Sequence, residues 1–233
     1  MQVPDGVTDE EGILLGDILS TAFFCARNAG LELPTNGAAV SSQDPLGGDV
    51  PLAVILGCGP VGLLAVMAAS LSGAQVWAVD SVPERLAMAQ EMGASKCLDL
   101  AKLGPSGVVE AIKAATDGRG ADAVLEVVGS ANALKLGFEV LRPMGALSSV
   151  GVHTDPSFPF SPQDGYNRNL RYASGRCPAR YMMEQLLPLV QAKRFDCTRI
   201  ITHRLPLTDG VRGYDIFSRR AEGCIKIVLD PWA

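Results

Sequence analysis

The sequence predicts an α/β fold built on a doubly wound parallel sheet. Three observations carry that prediction. Short runs such as LAVIL, QVWAV and AVLEVVG are apolar without polar alternation, as strands buried on both faces are. Stretches with helical period separate them, giving repeated strand–helix units. The first strand runs straight into G-x-G-x-x-G, which opens a helix.

The elements follow in order. Met1 to Thr8 reads as an irregular lead-in. Asp17 to Ala29 has helical periodicity, with Asp17 or Ser20 as its cap. Leu31 to Asp49, rich in Pro, Gly, Ser and Asn, reads as a loop. Strands are expected at Leu52–Leu56, Gln75–Val79, Cys97–Leu98, Ala123–Gly129 and Gly145–Val152. The helices between and after them are Pro60–Leu71, Pro83–Met92, Gly107–Ala115 and Ala131–Leu141. Beyond Phe158 the pattern loosens to a helix at Tyr181–Ala192, a strand at Arg199–His203, a helix at Val211–Arg220 and a strand at Cys224–Asp230.

The chain has 233 residues, 48% hydrophobic and 19% charged, enough to bury a sizeable core. A net charge of −5 offers no basic face to nucleic acid. Asp5, Asp9, Glu10 and Glu11 stand where a secretory signal would be basic and then apolar. The longest apolar run, Val61 to Leu71, is about half the ~20 residues that span a bilayer. The expectation is a soluble cytoplasmic protein. The six cysteines form no C-x-x-C pair, and most of them read as small buried hydrophobes.

The glycine turn is the principal chemical signal. Gly57 permits the tight turn, Gly59 lets a pyrophosphate approach the backbone, and Gly62 lets the helix pack close to the strand. Pro60 suits the first helical position, and Val61 follows it in the turn. The helix N-terminus offers free N–H groups and a positive dipole end to phosphates. Asp80 ends the second strand eighteen residues after Gly62, near the roughly 20-residue spacing of an acid that binds the adenosine ribose. A carboxylate there accepts from a diol and repels a 2′-phosphate, which favours NAD over NADP. Arg85 is read as covering the ribose edge. The competing class is an S-adenosylmethionine-dependent methyltransferase, which also joins a glycine loop to an acid after its second strand; the Pro-Val in this turn favours the dinucleotide.

The stretches GDILSTAFFCARNAG, VILGCGPVGLLAVMAA, VDSVPERLAMAQEMGA, GADAVLEVVGS, LRPMGALSSVGV, IITHRLPL and KIVLDP occur in this order. Together they resemble the medium-chain, zinc-dependent alcohol dehydrogenase family, over its Rossmann coenzyme domain and C-terminal segment. The resemblance implies hydride transfer between an alcohol or aldehyde and NAD, assisted by a catalytic zinc. It puts Asp17 at the position of an acidic zinc ligand, against the plainer reading as a helix cap. It sets Thr21 beside the nicotinamide, with Val128, Val150, Gly151 and Val152 among the coenzyme-binding residues and Lys226 near the coenzyme phosphates. The family's Cys and His ligands and its proton relay would lie upstream of Met1, so a truncated form lacking the catalytic domain is expected.

That comparison divides the chain into a lead-in (1–17), a coenzyme domain (18–180) and a segment returning to the β-rich catalytic domain (181–233), of which it is an incomplete remnant. It also implies a homodimer joined edge strand to edge strand, with Val150 to Phe160 as the candidate edge. His153 reads as a loop residue and His203 as structural. An NAD-binding, dimerising module without activity of its own is the second functional reading.

Overall fold

The computed structural model describes residues 3–33 and 50–233; most of the loop expected over 31–49 lies outside them. In chain order the helices are α1 (Asp9–Leu15), α2 (Ile18–Asn28), α3 (Pro60–Leu71), α4 (Pro83–Glu91), α5 (Leu100–Ala115), α6 (Ala131–Val140), α7 (Pro162–Asn167), α8 (Ala179–Gln191) and α9 (Gly210–Arg219). The strands are β1 (Leu52–Leu56), β2 (Gln75–Asp80), β3 (Lys96–Asp99), β4 (Ala121–Glu126), β5 (Leu141–Ser149), β6 (Arg171–Ser174), β7 (Ile201–Pro206) and β8 (Lys226–Asp230). They fall into two compact units, one of Thr21–Cys177 and one of the described residues of Met1–Ser20 with Pro178–Ala233.

The larger unit holds a six-stranded sheet in the order β3-β2-β1-β4-β5-β6, parallel throughout. This is the Rossmann order, in which the chain reverses direction across the sheet between β1 and β4. Every residue of β1 is buried, as is every residue of β2 after Gln75. Helix α3 is buried from Gly62 to Ala69, so it is covered on nearly all sides. Those burials explain why the LAVIL and VGLLAVMAA runs carry no polar alternation.

A half-buried ion pair fastens the N-terminal end of β4. The Asp122 carboxylate accepts the Leu52 N–H of β1 at 2.8 Å and the Arg142 Nε–H of β5 at 2.6 Å. Arg119 also pairs with it. Burial acts to raise the Asp122 pKa, but the two guanidiniums and the amide outweigh it and hold the carboxyl below its ordinary value.

In the smaller unit, β7 and β8 pair in parallel, and Gly213 of α9 lies against Leu205 and Ile227 of that sheet. Helix α1 carries a capping box: Thr8 Oγ1 accepts the Glu11 N–H, and the Glu11 carboxylate accepts the Thr8 N–H. Among the described residues no helix is long and apolar enough to cross a membrane. Four of the six cysteines are buried, and Cys97 and Cys177 are half-buried.

Several boundaries differ from expectation. Helix α1 falls inside the expected lead-in of 1–17. Helix α5 starts at Leu100 rather than Gly107, because Asp99 caps it and the chain breaks only locally at Gly104. Strand β5 ends at Ser149, three residues short of Val152, because the Val150 N–H turns to the Glu126 carbonyl and Gly151 abuts Gly129. Val150 to Phe160 is therefore not the edge strand. Among the described residues the edge strands of this sheet are β3 and β6, and Phe158 and Phe160 instead pack against Tyr172 and Phe138. Ser20 does not cap α2; its hydroxyl donates to the Leu15 carbonyl at 2.7 Å.

Asp122→Asn keeps an acceptor for Leu52 but removes the charge, and should cost about 2–3 kcal/mol at pH 7. A depressed native pKa gives stability that is present above the ordinary carboxylate range and is lost as pH falls through the depressed value. Melting from pH 7 to pH 3 should therefore show a shallower acid limb in the variant. Parallel acid limbs would contradict this account.

Candidate functional site

The site is built where β1 ends. Gly57 has φ +93°, a conformation open to glycine, and its N–H bonds the Val79 carbonyl of β2 at 2.9 Å. A Cβ on Gly57 would also stand 2.6 Å from Val128. A Cβ on Gly62 would overlap the Gly57 carbonyl, so the first turn of α3 packs directly on the turn that precedes it. Gly59 differs from both: a Cβ there meets nothing within 4 Å. Its missing side chain leaves space above the turn that the protein's own packing does not need.

Gly59 is the N-cap of α3 and Pro60 fills its first turn. The first main-chain bond of the helix runs from the Leu63 N–H to the Gly59 carbonyl at 2.9 Å. The Val61 and Gly62 amides come before it and have no acceptor within the helix. They stand at the positive end of the helix dipole, the arrangement that binds phosphate.

Asp80 lies beside this turn and is buried. One of its oxygens accepts the Cys58 N–H at 2.6 Å and the other accepts the Val82 N–H at 2.9 Å. Each oxygen can accept twice, so both keep capacity for a further donor. The carboxylate therefore shapes the glycine turn and can still receive hydroxyls. Burial, with the Asp80 charge adding to it, pushes the Cys58 thiol up and keeps it neutral. Arg85 sits half-buried in the first turn of α4.

Across the switch point stand the ends of β4 and β5. Val128 and Val152 are 53% and 78% exposed, an apolar pair flanking the mouth. Val150 and Gly151 lie between them and β5. Cys25 of α2 meets β5, with the Ser148 hydroxyl donating to its sulfur at 3.3 Å. Thr21 lies one turn earlier on the same face of α2. The larger unit thus brings together Gly57, Gly59, Pro60, Val61, Gly62, Asp80 and Val128. Asp17, which immediately precedes α2, and Lys226, which opens β8, belong to the smaller unit.

A buried cluster escaped the sequence reading. Glu126, fully buried at the end of β4, accepts the Val128 and Gly129 amides on one oxygen at 2.8 and 2.7 Å. Its other oxygen accepts the Ser149 hydroxyl at 2.6 Å and lies 3.0 Å from His153 Nε2. The available signal was a glutamate set within the apolar AVLEVV run. His203 sits in β7, with Nδ1 2.9 Å from the Thr202 hydroxyl.

The vacant space above Gly59, the unpaired helix amides and the acceptor capacity of Asp80 fit a dinucleotide. Zinc fares differently. Among the described residues no three His, Cys, Asp or Glu side chains gather to hold a metal ion. A catalytic zinc takes three protein ligands, so these residues alone do not fit one.

The profile of the family described as zinc-binding dehydrogenase matches residues 60–192. Zinc-type alcohol dehydrogenase B of Aspergillus flavus is 37% identical over 219 residues, covering 94% of this chain and 48% of that protein. A medium chain reductase/dehydrogenase of Acremonium sp is 44% identical over 167 residues, covering 71% of this chain and 53% of that one. Among solved structures, alcohol dehydrogenase TADH from Thermus sp. ATN1 superposes with a TM-score of 0.85 at 33% identity, over 98% of this chain and 60% of that one. The chain spans about half the length of these curated relatives.

The two glycines at the helix start should separate fold from site. Gly59→Ala should leave thermal stability within about 0.5 kcal/mol, since its Cβ enters open space. Gly62→Ala forces α3 off the Gly57 carbonyl and should cost about 2 kcal/mol or more. Calorimetric melts compare them; equal losses would refute the packing argument.

Proposed function

The chain belongs to the zinc-binding dehydrogenase family, and from that premise we propose that it is the coenzyme-binding part of an oxidoreductase that transfers hydride between an alcohol or aldehyde and NAD. The observation that carries this reading is the pairing of the phosphate turn with Asp80. In it the Val61 and Gly62 amides receive the diphosphate. Asp80 accepts the adenosine 2′- and 3′-hydroxyls on its remaining lone pairs. Its charge disfavours a 2′-phosphate, so the selected coenzyme is NAD rather than NADP. Arg85 covers the ribose edge.

When bound, the nicotinamide accepts or gives the hydride. Val128, Val150, Gly151 and Val152 form the apolar wall that orients the ring and keeps water from that face. Thr21 closes the other side from α2. No zinc ligand set gathers among the described residues, and no step of this proposal passes through the metal. Membership of a dehydrogenase family speaks against the methyltransferase reading. The same reading pairs two copies of the chain along the open edge of β6, beside the Phe158, Phe160 and Tyr172 cluster.

Asp80→Ala should weaken NADH binding by about 1–3 kcal/mol, roughly fivefold to 150-fold, and narrow the preference for NADH over NADPH. Isothermal titration of the full chain with each coenzyme checks both effects. An unchanged NADH affinity, or a wild-type preference for NADPH, would remove Asp80 from the ribose.

A further inference from the structure

The loop that leaves β5 is tied at both ends to one residue. Before it, the Ser149 hydroxyl donates to the Glu126 carboxylate at 2.6 Å and the Val150 N–H to the Glu126 carbonyl at 3.1 Å. After it, His153 Nε2 returns to within 3.0 Å of the same carboxylate. Between these ties Gly151 is pressed on the loop that follows β4, and a Cβ on it would overlap the Gly129 amide nitrogen. A Cβ on Gly129 would in turn stand 2.6 Å from the Val152 amide nitrogen. Of residues 150–152, Val152 is the exposed one, and it stands at the mouth of the proposed site.

The hydrogen count closes with a neutral imidazole. Ser149 gives its one hydroxyl hydrogen to Glu126, and the carboxylate has none to give. Nε2 therefore carries the hydrogen it shares with the carboxylate and with the Ser149 oxygen, 2.8 Å away. The second Glu126 oxygen takes the Val128 and Gly129 amides at 2.8 and 2.7 Å. Both loops that border the mouth thus hang on one fully buried side chain.

The sheet itself does not need this carboxylate. Strands β4 and β5 are paired through the main chain from Ala121–Leu141 to Glu126–Ser149, and Val124, Leu125 and Leu147 fill the core beside them. An apolar side chain at the end of β4 would avoid the cost of taking a charge out of water. What an apolar side chain cannot do is receive four donors from two loops. The one thing the carboxylate adds is the fixed placement of those loops, and Val128 and Val152 with them.

We propose that Glu126 is a positioning residue, which staples both ends of the 150–152 loop and so holds Val152 as part of the wall that meets the nicotinamide half of the coenzyme. This rests on the NAD reading above. A loop released from Glu126 spends only part of its time in the binding form, and the affinity falls by that fraction. The loss is confined to ligands that reach the loop. ADP-ribose carries the diphosphate and the adenosine but no nicotinamide, and is held by the glycine turn and Asp80 alone.

The test titrates the full chain and three variants with NADH and with ADP-ribose at one pH. Glu126→Ala removes every side-chain tie and should weaken NADH about tenfold, with ADP-ribose held within about twofold. His153→Ala cuts only the far end of the loop, at a half-buried position, and should weaken NADH about threefold; it decides the matter if Glu126→Ala does not fold. In both variants the emission of bound dihydronicotinamide should move toward that of free NADH. Glu126→Gln keeps a carbonyl for the two amides and turns its NH2 to the Ser149 oxygen, so it should recover most of the affinity. Unchanged NADH affinity in His153→Ala overturns the staple. So does ADP-ribose falling in step with NADH, which marks a general structural role, and so does a Glu126→Gln protein as weak as Glu126→Ala. Failure of ADP-ribose to bind the wild type overturns the dinucleotide reading, and the staple with it.

Discussion

The close approach of α3 to the end of β1 is the constraint on which the rest of the larger unit depends. The Gly62 Cα sits against the Gly57 carbonyl, and nothing bulkier than hydrogen fits between them. That contact sets the direction of α3 and hence the direction of its free amides. It also explains why α3 is apolar on nearly all sides: a helix drawn this close to the sheet buries most of its circumference. Asp80 completes the constraint from the neighbouring strand by taking the Cys58 N–H. The same carboxylate that stiffens the turn also holds the start of α4 through the Val82 N–H, and keeps acceptor capacity on both oxygens.

Sheet order turns this local geometry into a crevice. Because β1 lies between β2 and β4, the chain leaves β1 toward one side and β4 toward the other. The Gly57 turn and Val128 meet at that divide. One wall is therefore made of helix amides and carries positive potential, and the other of two exposed valines. A ligand with an anionic middle and a flat, less polar end matches this division better than a uniformly charged one.

What the sequence disclosed and what it hid follow from the range of the interactions. The bounds of β1 and α3 were legible because their causes are local: an apolar run, two glycines and a proline. The turn residues and Asp80 were legible for the same reason, since register along one strand–helix–strand unit fixes them. Helix α1 was passed over although Thr8 and Glu11 spell a capping box, because no long apolar stripe follows it. Strand β6 has four residues and is defined by pairing with β5, which no local pattern announces. The end of β5 was misplaced because Ser-Val-Gly-Val has strand-like composition, while the backbone of Gly129, some twenty residues earlier in the chain, stops it. The Glu126, Ser149 and His153 cluster depends wholly on such distant meetings.

Strand β4 carries two carboxylates near its opposite ends, the half-buried Asp122 and the fully buried Glu126, and their partners differ in kind. Asp122 faces guanidiniums, which keep their charge at any working pH, together with an amide from β1. Three strands are thereby fixed at the end away from the crevice. Glu126 faces two amides, a hydroxyl and an imidazole. Breaking the Asp122 set would separate strands of the core. Loosening the Glu126 set frees only the loops that border the crevice. The two sets therefore divide the sheet between an end where β1, β4 and β5 are tied together and an end where a carboxylate of β4 ties the loops that follow β4 and β5.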